Sequence, residues 1–255
     1  MEIIENYDTL LATLALTMGA SWASGINLYA ALLVLGLGGM TGSIDLPPDL
    51  AMLANPLVVG AAGIMYVVEF VVDKVPGVDS AWDGLQTFVR IPAGALLAAG
   101  AVGDVSPAME IATGVMGGSL AATSHFTKAG TRALINTSPE PVTNWGASLT
   151  EDLAVFGGLW VALNHPLVFL VLLVLFVAMA IWLLPRIWRL LKAIFRKIGG
   201  WLGLGDGGKA AAAADPGPDN PRDIAEQIVA LQKLHAAGTL SDDEFEQGKN
   251  RLLKG

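Results

Sequence analysis

Four stretches of the chain carry no acidic or basic side chain: Thr9 to Ile44, Leu50 to Val68, Ile91 to Gly103 and Leu153 to Pro185. A helix needs about 20 mostly apolar residues to cross the hydrocarbon core of a bilayer, and several of these runs reach that length. A soluble fold would interrupt them with polar positions at the helical or strand period. The pattern therefore predicts an all-α, polytopic helical membrane protein with about six membrane segments. They lie near Leu10 to Gly39, Ala51 to Val72, Ile91 to Gly103, Pro107 to His125, Trp145 to Leu163 and Pro166 to Leu184. Asn164-His165-Pro166 supplies the break between the last two. Ile91 to Gly103 is short. At 1.5 Å per residue it spans about 20 Å of a roughly 30 Å core, so 91–125 either crosses fully or re-enters.

Basic residues give the orientation. Arg186, Arg189, Lys192, Arg196 and Lys197 follow the last apolar run. The first four share a helical stripe, and Ile187, Leu191, Ile194 and Phe195 form another beside Trp188 and Trp201. Such a helix lies at the interface with its cations toward anionic headgroups, and a Lys/Arg-rich flank marks the cytoplasmic side. Working backwards places Lys128, Arg132, Arg90 and Lys74 on that side, with the first segment returning the chain to it. The expectation is a multi-pass protein of the bacterial cytoplasmic (inner) membrane with both termini in the cytoplasm. Met1 to Asp8 has three acidic residues and no basic one, unlike the positive leader of a cleaved signal, so the first segment is expected to be retained.

Composition agrees. Hydrophobic side chains make up 53% and charged ones 15% of 255 residues, with a mean hydropathy of +0.57. Cysteine is absent, which removes disulfides and thiolate metal ligands, and the net charge of −8 argues against nucleic acid. There is no HExxH, Walker loop, Gly-x-Ser-x-Gly elbow or paired-histidine motif, so neither catalysis nor a cofactor is indicated, although an intramembrane enzyme stays open.

Several positions do not suit plain anchors. The first apolar stretch contains Gly19-Ala20-Ser21-Trp22-Ala23-Ser24-Gly25-Ile26-Asn27. Its small residues permit close helix packing; alternatively the span is kinked and Asn27 lines a polar cavity. Glu69, Glu151 and Asp152 lie within apolar sequence, where a carboxylate costs at least about 2.5 kcal/mol and normally finds a partner or water. Glu69 reads either as an interfacial residue pairing with Lys74 or as part of a site. Glu151 and Asp152, being adjacent, diverge by about 100° around a helix. His125, Lys128 and Arg132 share a helical face, either as a cytoplasmic helix end or as partners of those carboxylates. Glu69 follows Pro56, and Asp152 follows Pro139, by the same 13 positions on oppositely directed segments, which raises an inverted repeat. His165 receives no role.

Beyond 1–185 and the basic helix 186–198, a Gly/Ala/Pro-rich tether (199–219) leads to a helical hairpin at 220–255. Asn220-Pro221 starts its first helix, Gly238 stops it, and Ser241 with Glu244 form a capping box flanked by Leu240 and Phe245. Ile224, Ile228, Leu231, Leu234, Leu240, Phe245 and Leu252 are its apolar positions, too few to form a core alone, so docking or self-association is expected.

Two resemblances follow from these residues. Leu231 to Glu246, with its Ala-Gly turn, Leu-Ser-Asp-Asp-Glu run and Phe245, resembles the short C-terminal "SHOCT" domain, departing from it at Gly248-Lys249. That resemblance implies oligomerisation. Ser24 to Ala30, Glu69 to Asp83 and Pro139 to Trp145 resemble the DUF4126 family of bacterial membrane proteins, over about Leu10 to Leu163. This implies a membrane domain and names no substrate. Three functions are consistent with the sequence: a transporter or channel for an ion or small solute, a non-transporting scaffold recruited through the tail, and an intramembrane enzyme.

Overall fold

The computed structural model describes residues 2–103, 105–137, 141–201, 221–236 and 240–254. All elements among them are helical: α1 (Glu2–Thr41), a 3-10 helix (Pro48–Ala54), α2 (Pro56–Val72), α3 (Val78–Ala101), α4 (Pro107–Ile135), α5 (Pro141–Asn164), α6 (Pro166–Trp201), α7 (Pro221–Ala236) and α8 (Asp242–Lys254). By length and composition two stretches of these helices can cross a membrane, Tyr7–Thr41 and Pro166–Ile194. A third is available if the 3-10 helix and α2, bent by 67°, count as one broken span. The chain divides into two compact units, Met1–Ala193 and Ile194–Gly255.

In the first unit α2 to α6 alternate in direction. Their ends at Ala101, Pro107, Asn164 and Pro166 define an upper end, and those at Val78, Ile135 and Pro141 a lower one. The local starts are conventional. Asn55 accepts from the Leu57 N–H ahead of Pro56, and Ser106 from the Met109 N–H ahead of Pro107.

α1 is not straight. Its helix is interrupted at Asn27 (φ −146°, ψ 96°), and contacts on either side of that residue show the chain turning back. On the first arm, Ser21 and Ser24 donate to the carbonyls of Gly94 and Arg90, so that arm descends beside α3. On the second, Gly63 faces Leu33 and Gly36 faces Val59, so that arm climbs beside α2. Thr9, Thr13 and Leu16 of one arm and Val34 and Gly38 of the other line the same cavity of about 850 Å³ at the upper end, together with Asn164. Those residues would be tens of ångströms apart in a straight helix. The expectation of one straight segment from Leu10 to Gly39 is thus corrected: the chain folds back as a helical hairpin with Asn27 at its tip. The close packing and the kink are both seen, while Asn27 itself is enclosed and bonded to Asp152. Small residues let it pack, since a Cβ on Gly25 would lie 2.0 Å from Ser124 Oγ and 2.2 Å from the Ala121 carbonyl. The break at Asn27 gives it the bend.

A second correction concerns 91–125. Ile91 does not begin a short segment. α3 starts at Val78 and runs 24 residues, and α4 runs 29, past His125 to Ile135. Both exceed 20 residues, but neither is among the stretches apolar enough to cross a membrane by composition. The charges that suggested an interface at Arg90 lie on the buried face of α3: Asp79, Asp83, Gln86 and Arg90 point inward, while Leu85, Phe88 and Val89 are exposed. Pro185, in turn, does not interrupt α6, which continues to Trp201. Arg186 lies over the Trp182 ring at 3.7 Å and Lys192 over Trp188 at 5.3 Å. Arg189 bonds back to the Pro185 carbonyl, and Ile187 packs against Gly130.

In the second unit α7 and α8 pair. His235 stacks on Phe245 at 4.8 Å and bonds Asp242, and Leu231 lies over Gly248. Ile228, Leu240 and Leu252 are half-buried and Leu234 exposed. Arg196 is exposed. The side chains of Phe195, Lys197 and Ile224, the tether at 202–220, Gly238 and Pro139 lie outside the described residues. The capping box is formed: the Ser241 N–H and hydroxyl both donate to Glu244 Oε2. Those bonds, the backbone one first, hold the Glu244 carboxyl below its ordinary value of 4.5. A depressed folded value means the contribution of the box is present above that pH and lost as pH falls through the lowered value. An NMR titration of Glu244 should show the depressed midpoint, and Ser241→Ala, which removes the hydroxyl bond but keeps the backbone one, should move it only part of the way back.

Candidate functional site

Four helices and the hairpin tip bring their charges to one level of the first unit. α2 carries Glu69, with Asp73 at its C-terminal end. α3 carries Asp79, Asp83 and Arg90 at helical spacing on one face. α4 carries His125, Lys128 and Arg132, also on one face, and α5 carries Glu151 and Asp152. Apart from half-buried Glu151, all are buried.

Arg90, fully enclosed, bridges α2 and α3. Its Nη2 donates to Glu69 Oε1 at 2.6 Å and its Nη1 to Asp83 Oδ1 at 2.9 Å. Nη1 also lies 3.3 Å from His125 Nδ1. A guanidinium only donates, so Nδ1 accepts and the ring proton sits on Nε2, facing Thr87 Oγ1 at 2.7 Å. Lys128 is the hub. Its Nζ donates to Asp73 Oδ2 (2.9 Å), Glu69 Oε1 (3.4 Å) and the Ile26 carbonyl (3.2 Å), with Glu151 Oε2 at 3.5 Å and Asp83 Oδ1 at 3.7 Å. Arg132 grips Glu151 with two parallel bonds, at 2.9 and 2.7 Å, and donates to the Asp73 carbonyl at 2.7 Å. At the lower end Asn136 ties Asp79 to Asn144.

The hairpin tip enters this network through both its half-helix ends. Breaking a helix frees carbonyls on one side and N–H groups on the other, and the two ends carry opposite partial charge. Lys128 takes the Ile26 carbonyl at the negative end. At the positive end Asn27 acts as an N-cap, its Oδ1 accepting from the Ala30 N–H at 2.9 Å, while its Nδ2 donates to Asp152 Oδ1 at 3.1 Å. Irregular backbone at this depth is tolerated where protein satisfies it, and here a cation and a carboxylate do so.

The ledger of charge is uneven. Six carboxylates (Glu69, Asp73, Asp79, Asp83, Glu151, Asp152) face Arg90, Lys128 and Arg132, or four cations if half-buried Lys74 is included. Lys74 is turned aside, bonding the Phe70 carbonyl and Ser148 with its ammonium over the Phe70 ring. The second oxygens of Glu69, Asp73 and Asp83 have no hydrogen-bond partner. Among the described residues no three His, Asp or Glu side chains converge as a metal site would require.

A family model described as a domain of unknown function (DUF4126) matches residues 14–186. The chain belongs to this family. The match spans the hairpin, every charged residue of the network and α6 as far as Arg186. No curated protein and no solved structure matches. In this DUF4126 protein the sequence-predicted polar residues are gathered in one place: Asn27, Glu69, His125, Lys128, Arg132, Glu151 and Asp152 form a continuous network. Glu69 pairs with Arg90 and Lys128 rather than with Lys74. Glu151 and Asp152 diverge as their adjacency demands, one to Arg132 and the other to Asn27. The sequence reading missed Asp73, Asp79, Asp83 and Arg90, taking Arg90 and Lys74 as flanks of a span. The signal was present. Positions 79, 83, 86 and 90 repeat at the helical period with Leu85, Phe88 and Val89 opposite, an amphipathic helix whose polar face is turned inward by an apolar solvent. Arg186, Arg189, Lys192 and Arg196 lie apart from the network on the later part of α6.

Proposed function

We propose that this DUF4126 protein is a bacterial inner-membrane transporter or channel for a small cation, and that the Lys128–Asn27–Asp152 region is its transport site. The observation that carries the reading is the surplus of buried carboxylate around the tip of a broken, re-entrant helix. Burying unpaired carboxylates in hydrocarbon is costly, so an arrangement that does so where two half-helix ends meet suits ion handling better than anchoring. α2 to α6 then make five crossings and α1 re-enters from the upper side. The basic end of α6 sets the lower side as cytoplasmic, against anionic headgroups. The acidic, lysine- and arginine-free N-terminus consequently lies outside and the C-terminus inside, which replaces the expectation of two cytoplasmic termini. The opposed directions of α2 and α5, both delivering a carboxylate to the network, suit an inverted repeat.

Proteoliposomes holding the wild-type protein should pass cations under an imposed gradient. Glu69→Gln and Asp152→Asn should lower the flux at least tenfold, and Asp152→Asn, whose amide oxygen can still accept from Asn27, should do so with the thermal unfolding midpoint retained. Absence of wild-type flux under sodium, potassium, ammonium and proton gradients would sink the reading. It would favour the second one, a scaffold that assembles through its tail. The capping box and the Phe245–His235 pairing support a SHOCT-like hairpin there, and deletion of Asp223 to Gly255 should then abolish assembly.

A further inference from the structure

What surrounds Lys128 Nζ is a set of ligands for an ammonium ion. A backbone carbonyl from the hairpin tip and four carboxylate oxygens, two from the end of α2 and one each from α3 and α5, stand within 4 Å of it. The three N–H donors of Lys128 are used on Ile26, Glu69 and Asp73, yet the oxygens are not exhausted. Glu69 Oε2, Asp73 Oδ1 and Asp83 Oδ2, on side chains at least nine-tenths buried, have no partner, and all three carboxylates are ones Lys128 already touches. The carboxylates outnumber the cations among them, so the charge of the cage favours a further monovalent cation beside Lys128.

Access exists from one side. A cavity of about 480 Å³ between α4, α5 and α6 is lined by both Lys128 and Glu151. The hydroxyls of Thr127, Thr131 and Thr150 in its wall donate to the carbonyls four residues earlier on their own helices. These three hydroxyls therefore offer only lone pairs to whatever enters, beside the Glu151 carboxylate. Phe176 supplies an apolar surface opposite. The upper cavity, by contrast, is separated from the tip by the fully buried Ala20, Ala23, Ala30 and Ala31.

We propose that the Lys128 cage binds a second, small ammonium-class cation (ammonium or a short primary amine), which enters through the α4–α5–α6 cavity. This deepens the transport reading by naming its substrate class. Directional N–H donors match dispersed single acceptors, whereas a divalent metal needs converging ligands, which the described residues do not offer.

The test is a titration of the full-length protein in neutral-lipid nanodiscs with ammonium, methylammonium, sodium and potassium chlorides, at ionic strength fixed with choline chloride. A ligand that binds only the folded state raises the unfolding midpoint with concentration. Ammonium and methylammonium should give a saturable rise, and calorimetry on the same samples should report binding. Asp83→Asn should flatten the response. Lys128→Ala should lower the midpoint and have it restored by ethylammonium, which refills the vacated ammonium position. No response to ammonium, an equal response to sodium or potassium, or no amine rescue of Lys128→Ala would each overturn the proposal. The two readings separate cleanly. Amine binding without flux in liposomes keeps this site and removes transport, while flux of another ion without amine binding does the reverse.

Discussion

Arg90→Met is expected to destabilise the first unit by about 3–5 kcal/mol, the cost of leaving buried charges without their partner. Arg90 is fully enclosed and holds Glu69 and Asp83 at 2.6 and 2.9 Å. Methionine fills a similar volume, so the loss is electrostatic rather than one of packing. Glu69 keeps a longer contact to Lys128 at 3.4 Å, but Asp83 retains only the 3.7 Å approach to the same ammonium. One lysine cannot replace a forked guanidinium bridging two helices. Thermal unfolding in detergent is the readout, with a large drop in midpoint expected. The triple variant Arg90→Met, Glu69→Gln, Asp83→Asn should recover most of it, because removing all the charges of a buried set costs far less than removing one. If the triple variant is no better than the single one, Arg90 acts through its shape.

Gly25→Leu should be nearly as damaging, by a different route. The Cβ alone would meet the Ala121 carbonyl at 2.2 Å. Ser124 Oγ can rotate away, but a helix carbonyl cannot, so α1 and α4 must separate. Overpacking of this kind costs about 1–3 kcal/mol, occasionally more. Here the same separation pulls Ile26 off Lys128. Loss of cation-dependent behaviour should therefore accompany loss of stability. Gly146 and Gly157 provide the contrast, since a Cβ on either meets nothing within 4 Å. Alanine there should be neutral or gain up to about 1 kcal/mol, the ordinary helix-propensity difference. The midpoints of the glycine variants, measured in one detergent, check the ranking.

Where the sequence was legible and where it was not has a physical pattern. The helical class and the apolar segments of α2, α5 and α6 followed from uncharged runs, because bilayer thickness sets helix length directly. Asn27, Lys128, Arg132 and the acids of α2 and α5 stood out because polar and charged side chains are conspicuous in apolar sequence. Two features were hidden. The fold-back of α1 is produced by one residue leaving helical dihedrals, and a continuous apolar run looks alike whether it crosses or returns. The inner half of α3 was lost because its density of charge resembles a loop. Only the helical period, with apolar residues facing out, separates it from one. Arg90 was mistaken for a border marker for the same reason: proximity of charge to an apolar run was read without its angular position.

That inverted face of α3 bears on how the protein is made. As it leaves the ribosome, α3 presents Asp79, Asp83 and Arg90 on one side, and a bilayer charges about 2.5–3.5 kcal/mol for each such residue near its centre. Of the cations that ease the burden on its acids, Lys128 and Arg132 are still to be synthesised on α4. On the proposed topology the helix would have no stable place in lipid by itself, and is expected to wait at the insertion machinery until its partner arrives and the two enter together. A nascent chain stopped between Ala101 and Lys128 should stay extractable, or be cleared by quality-control proteolysis, whereas one extended past Ile135 should become embedded.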